Sequence, residues 1–316
     1  MERITLCCYR KRGLAPLEPK HRRTIRRAVD SLIFSSVAEA TKTAVQNNNR
    51  SWGPPTADAF TLYFQQFDPK NNLMAVRAGS TLHGLTVGTA RFTRPYSIGG
   101  TIWAPPEEPL KGLRRCLSRG DSQVRERIFR SLEWFVRAHQ EEEGRRSSFT
   151  SVVMMATAFE VLLEFPTFSK TAYFVETIDK RLSSTDLRTR TRRFGKNGQK
   201  RQRVNLPAFW AGQFYDLRSR IVHGSPLSER NIHYTSRNQR KDAKWLSHLI
   251  VADLIFYELV LRELFDRDLL IPDVGALTDG AEDRDGFRRA LFGMFCGFSR
   301  VYDQLGWRKQ ERASRC

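Results

Sequence analysis

"FYDLRSRIVHGSP", residues 214–226, sets an arginine and a histidine five positions apart where a helix has to stop. At about 100° per residue, Trp210, Phe214, Leu217 and Ile221 fall within about 60° of one another, so the stretch from Asn205 to Gly224 reads as a helix with one buried stripe. Arg218 stands about 70° from the centre of that stripe, and His223 about 150° away, on the outward side. Gly224 suits the position just past a helix end and Pro226 forbids continuation, which puts His223 in the last turn. An outward histidine is a poor core histidine. Arg218 alone reads equally well as a cation placed at the negative end of the helix dipole, but that leaves its companion unexplained.

The segments around this helix are helical too. Asp121 or Ser122 can cap "SQVRERIFRSLEWFVRAHQEEE", where Val124, Ile128, Leu132, Phe135 and Val136 recur at helical spacing. "TSVVMMATAFEVLLEFP" (150–166) is apolar nearly all round and predicts a central helix ending before Pro166. "TAYFVETIDKRL" (171–182) predicts another, followed by a basic loop. "WLSHLIVADLIFYELVLRELF" (245–265) carries His248, Asp253, Glu258, Arg262 and Glu263, charges too costly for a membrane span, so it is a buried helix. A last helix is expected over 287–302, with Phe287, Leu291, Phe295, Phe298 and Tyr302 on one face.

Upstream the pattern differs. Residues 1–56 are basic and then polar, ending in the loop "QNNNRSWGPPTA". "AFTLYFQQF" (59–67) and "LTVGTARFTRPYSIGGTIWAPP" (85–106) have strand character, the latter as two strands around Gly99-Gly100. The expected fold is mainly α: a helical bundle preceded by a small β-rich or mixed N-terminal region. Its parts are a basic segment and linker (1–56), a β-rich region (57–120), a helical domain (121–268), and an acidic loop with a C-terminal helix (269–316).

Among the 316 residues, 53 Lys and Arg oppose 34 Asp and Glu, a net charge of +19. Two runs hold most of the excess. Residues 10–27 carry eight Lys/Arg against one Glu, and residues 180–203 carry ten against one Asp. Such an imbalance fits a polyanionic partner, nucleic acid before an anionic membrane. Within the second run Arg188, Arg190, Arg192, Arg193, Lys196, Lys200, Arg201 and Arg203 are the candidate nucleic-acid-binding residues, in a run that reads equally as a solvated loop. The five cysteines are odd in number and form no C-x-x-C, and no zinc pattern surrounds them. The N-terminus has no apolar signal region. A reduced, cytoplasmic setting without metal or cofactor is expected. "DGAEDRDG" (279–286) fails as a calcium loop, and "GSTLHGLTVG" (79–88) lacks the Lys of a phosphate loop.

"YDLRSRIVHGS" (215–225) resembles the signature of HEPN domains, in particular their Apea-like branch: an arginine and a histidine a short spacer apart at a helix end. "SLEWFVRAHQEEE" (131–143), "VVMMATAFEVLLEFP" (152–166) and the 245–265 helix are similar to that branch in order and spacing, so the resemblance covers about residues 121–266. It implies a helical domain that pairs with a copy of itself, bringing Arg218 and His223 of both protomers into one basic cleft. Many such proteins are metal-independent endoribonucleases of phage defence or toxin–antitoxin systems, the latter with an antitoxin partner. Others are non-catalytic modules that bind nucleic acid or nucleotide, or act as adaptors. The chain departs from the pattern at Ser219, where Asn, Asp or His often follows the arginine.

The residue chemistry agrees with such a use. Cleaving RNA without a metal takes a base for the 2′-hydroxyl, a cation for the phosphorane and an acid for the 5′-oxygen. Histidine titrates nearest that task, and acid–base help is worth about 10²–10⁴ in rate. The arginine fork matches phosphate oxygens. Because an i,i+5 pair diverges by about 140° around a helix, two copies meeting head to head are expected to supply one pair each, acting on single-stranded RNA. Ser219 and Arg220 flank the pair. Glu160, a carboxylate on an apolar helix, needs a partner: it orients Arg218 or another cation, or it makes a purely structural ion pair. Asp216 is placed either to orient the His223 ring or to pair with Arg220 one turn on.

Overall fold

The structure, a computed structural model, describes residues 18–46, 67–68, 73–78, 81–86, 107–140, 147–183, 187–194, 200–234 and 247–270. Among the described residues the protein is mainly α, with seven α-helices. They are α1 (Pro19–Gln46), α2 (Glu107–Arg119), α3 (Ser122–His139), α4 (Ser148–Leu162), α5 (Lys170–Arg181), α6 (Leu206–Val222) and α7 (His248–Asp266). No helix among the described residues is long and apolar enough to cross a membrane.

The starts of these helices follow from short polar side chains. Asp121 accepts the Gln123 and Val124 N–H groups at 2.8 and 3.2 Å, and those bonds hold its carboxyl below the usual range. Ser147 caps α4 and Ser247 caps α7 in the same way. Asn205 does more. Its Oδ1 accepts the Ala208 N–H at 2.8 Å, its Nδ2 donates to the Asp179 and Leu182 carbonyls, and its own N–H donates to the Asp179 carboxylate at 2.7 Å. One buried amide therefore ties the end of α5 to the start of α6.

Apolar faces then pack α3 on α4, α5 on α6, and α4 on both α6 and α7. A chain of rings runs through the core: Phe34 touches Phe135 and Phe256, Phe256 touches Phe159, and Phe159 touches Phe174, Trp210 and Phe214, with centroids 4.9–6.4 Å apart. Nearly every residue of α7 is buried, the carboxylates Asp253, Glu258 and Glu263 included. They are paired: Glu258 with Arg262, Glu263 with Arg127 and Arg181, and Asp253 with His139 Nε2 at 2.9 Å and Thr41 Oγ1 at 3.3 Å. His139, which sequence reasoning left without a role, thus joins α3 to α7, and Thr41 adds α1 to the same knot.

Three expectations are corrected. The segment 1–56 is not all tail and linker, because α1 packs against α2, α3 and α7 and buries Ile33, Phe34, Val37, Ala38 and Val45 in the common core. The helical unit therefore begins at Pro19, well before residue 121. Its basic half hid an apolar stripe that starts at Val29. The basic run is not simply a loop: its residues 189–194 and 200–203 lie in an antiparallel hairpin of β4 (Thr189–Phe194) and β5 (Lys200–Asn205), numbered after the three strands below. The long helix expected over 245–265 begins at His248, where Ser247 caps it.

Within 57–120 the described elements are β1 (Phe67–Asp68), β2 (Leu73–Ala78) and β3 (Thr81–Thr86), paired antiparallel in that order, and then α2. The strands expected around Gly99-Gly100 and the helix expected over 287–302 lie outside the described residues.

Two buried ionisable groups bear on stability. Asp30, on α1, faces Glu133 and Arg137 from α3 and Arg26 and Arg27 from its own helix. Burial first, and then Glu133, pushes its carboxyl up to about 7 against the pull of the three arginines. His248 sits among Trp210, Phe214 and Tyr234, and burial, with His233 second, pushes its imidazole down to about 3.

Candidate active site

The expected stripe of α6 is in place: Trp210, Phe214 and Leu217 are buried and Ile221 is packed on the core. The helix closes as its sequence requires. The Ser225 N–H reaches back to the Arg220 carbonyl at 2.9 Å and the Gly224 N–H to the Ile221 carbonyl at 3.1 Å, with Gly224 at φ +67°. The His223 N–H donates to the Ser219 carbonyl at 3.0 Å. His223 is the capping residue, and its side chain is exposed.

Arg218 is held differently. It is 23% exposed, its Nη2 lies 3.4 Å from Glu160 Oε1, and its guanidinium stands 5.5 Å from the centre of the Tyr215 ring. Tyr215 donates its hydroxyl to the same Oε1 at 2.6 Å, and Lys170 reaches Oε2 at 2.5 Å. Burial, and then the Glu160 carboxylate, holds the Tyr215 phenol well above its ordinary value, so it remains a donor throughout the physiological range. Glu160 therefore meets Arg218, a contact common to both roles its sequence allowed. Tyr215 and Lys170, which sequence reasoning missed, complete the cluster. A tyrosine one turn before the arginine was the available signal for the first of them.

The expectation for Asp216 is corrected. It pairs with Arg192 Nη2 of β4 at 2.7 Å, not with His223 or Arg220. Arg220 instead donates to the Pro226 carbonyl at 3.4 Å. Ser219 is half-buried between the two candidate residues.

The basic candidates separate into classes. Arg192 is only 13% exposed and lies over Gly212, where a Cβ would run into its guanidinium. Arg188 and Arg190 are half-buried, the Arg188 carbonyl accepting the Leu206 N–H at 3.0 Å. Arg201 and Arg203 are exposed. The side chains of Arg193, Lys196 and Lys200 fall outside the described residues. No group of three or more His, Cys, Asp or Glu placed to hold a metal ion occurs among the described residues. Burial first pushes the Cys116 thiol up to about 11, which makes it a core residue rather than a nucleophile.

Compared with family models, curated proteins and solved structures, the chain matches none.

Proposed function

We propose that the protein is a metal-independent endoribonuclease of the HEPN type, cleaving single-stranded RNA at a composite Arg218/His223 site in a homodimer cleft. The observation that carries this reading is the division of labour at the end of α6: an exposed imidazole at the helix cap, and five residues earlier a guanidinium held by Glu160 and Tyr215. One His223 takes the proton of the 2′-hydroxyl, and that oxygen attacks the adjacent phosphorus. Arg218 neutralises the charge gathering on the phosphoryl oxygens. The P–O5′ bond breaks to leave a 2′,3′-cyclic phosphate, and the partner copy's histidine protonates the departing 5′-oxygen. The cytoplasmic setting, the phage-defence or toxin role, and the small β-rich region of 57–120 as a sensing element belong to the same proposal.

The test is cleavage of single-stranded RNA in excess chelator. We expect the wild type to cut and both Arg218→Ala and His223→Ala to lose about 10²–10⁴ in rate. Undiminished cleavage by either variant removes the proposal.

One observation favours the second reading, a non-catalytic HEPN module that binds nucleic acid or nucleotide and relays a signal. Arg218 already has a carboxylate partner in Glu160, so part of its charge is spent within the protomer. Wild-type binding of RNA without any cleavage would select this alternative.

A further inference from the structure

The two faces of the β4–β5 hairpin differ. Side chains alternate along each strand, and the register sets Arg190 opposite Val204, Arg192 opposite Gln202, Thr191 opposite Arg203 and Arg193 opposite Arg201. The first two rungs share one face, which is docked in part: Val204 is buried and Arg192 is locked between Gly212 and Asp216 of α6, while Gln202 is exposed. Thr191, Arg201 and Arg203 share the other face and are exposed.

No Asp or Glu occurs anywhere from residue 187 to 205. Of the described carboxylates, Asp179 is engaged by the Asn205 N–H and Asp216 by Arg192. Among the described residues Arg201 makes no ion pair, and Arg203 bonds only the neutral Thr189 hydroxyl, at 3.2 Å. Like charges facing across a rung destabilise a sheet, and among the described residues nothing supplies this face with a counter-charge.

Placement adds direction. Asn205 roots the hairpin at the first turn of α6, and Arg192 meets Asp216 farther along, so the strands run beside α6 toward the end that holds Arg218 and His223. From Asp216 to His223 is about 10 Å of helix. Arg201 and Arg203 lie about 6.8 Å apart along one strand, a spacing that suits successive phosphates of an extended single strand.

We propose that the outward face of this hairpin is a track for the phosphodiester backbone of single-stranded RNA, with Arg201 and Arg203 as its charge contacts, leading the strand to the end of α6. Arg192 is excluded from the contact set; it holds the track in place. The described outward residues are all polar, with nothing apolar to insert among acyl chains, which sets a membrane surface aside. The choice of RNA as the polymer rests on the ribonuclease proposal.

The experiment uses the full chain in a His223→Ala background, so that the probe survives, and a fluorescein-labelled oligouridylate of about twenty nucleotides, a length that spans a typical single-strand site. Anisotropy is read across a salt series. Adding Arg201→Ala and Arg203→Ala is expected to weaken binding about tenfold at low salt and to reduce the slope of log K against log salt by about 1.4, or 0.7 for each lost phosphate contact. Thermal melts should coincide, because both side chains are exposed. An unchanged affinity and slope, a parent that does not bind the oligonucleotide, or binding only to phosphatidylserine vesicles overturns the track. Cleavage by the chain with His223 intact is scored separately. Cleavage with an unchanged slope sinks the track and spares the nuclease; a reduced slope without cleavage does the reverse.

Discussion

Tyr215 and Arg218, nearly one turn apart on α6, converge on a single oxygen of Glu160. The phenol donates to it, the guanidinium approaches it, and the ring itself lies under the guanidinium. Arginine position is therefore set by three elements at once, since Glu160 comes from α4 and its second oxygen holds Lys170 at the start of α5.

That convergence makes Glu160→Ala costly. It strands a buried phenol and two cations, so urea denaturation should show a loss of about 2–3 kcal/mol, against about 1–2 kcal/mol for Tyr215→Phe. A loss below about 0.5 kcal/mol for both, the range of ordinary surface changes, would mean the cluster does not hold together in solution.

Asp30 should make the protein less stable as pH rises. Its folded carboxyl titrates near 7 and its unfolded one near 3.8, so between those values the folded state holds the extra proton and stability falls with increasing pH. Asp30→Asn should match the wild type near the low end of that window and exceed it above about pH 7, by no more than about 4 kcal/mol. Parallel stability curves for the two proteins would contradict this.

His248 acts in the opposite sense. Its ring titrates near 3 when folded and near 6.5 when unfolded, so its contribution is complete above about 6.5 and is lost as pH falls toward 3. Replacing it with Leu should flatten the acid limb of the melting profile, and this is best measured in the Asp30→Asn background because the two windows overlap.

At Gly212 an added methyl would meet the Arg192 guanidinium. Gly212→Ala should detach the hairpin from α6 at a cost of about 1–3 kcal/mol. Amide exchange should accelerate in β4 and β5 while α7 stays protected. Faster exchange spread evenly over the whole chain would point instead to general destabilisation.

Much of the bundle was legible from residue spacing. The stripe of α6, its closure at Gly224 and the burial of the 245–265 helix all follow from apolar periodicity and one glycine, which are local signals. What was hidden depended on distant partners. In α1, arginines crowd the first turns and mask Ile33 and Phe34, whose burial needs Phe135 and Phe256 from far along the chain. In β4 the alternation Thr189-Arg190-Thr191-Arg192 was readable, but arginine's weak strand preference made a loop the natural expectation. Asp216 was assigned to its own helix because an ion pair with a hairpin cannot be foreseen until the hairpin is. Glu160 was the reverse case: an isolated carboxylate on an apolar helix demanded a cation, and Arg218 was there.

The carbonyls at the end of α6 are satisfied by backbone N–H groups of residues 223–225, so the fold does not call on the imidazole at 223 to finish the helix. Exchanging that side chain should leave the architecture essentially untouched. Selection for a sound fold then has no grip on this position, and only selection for what the ring does can keep a histidine there. A lineage that no longer needed the chemistry could lose it through a single neutral step, leaving an inert descendant with the same shape.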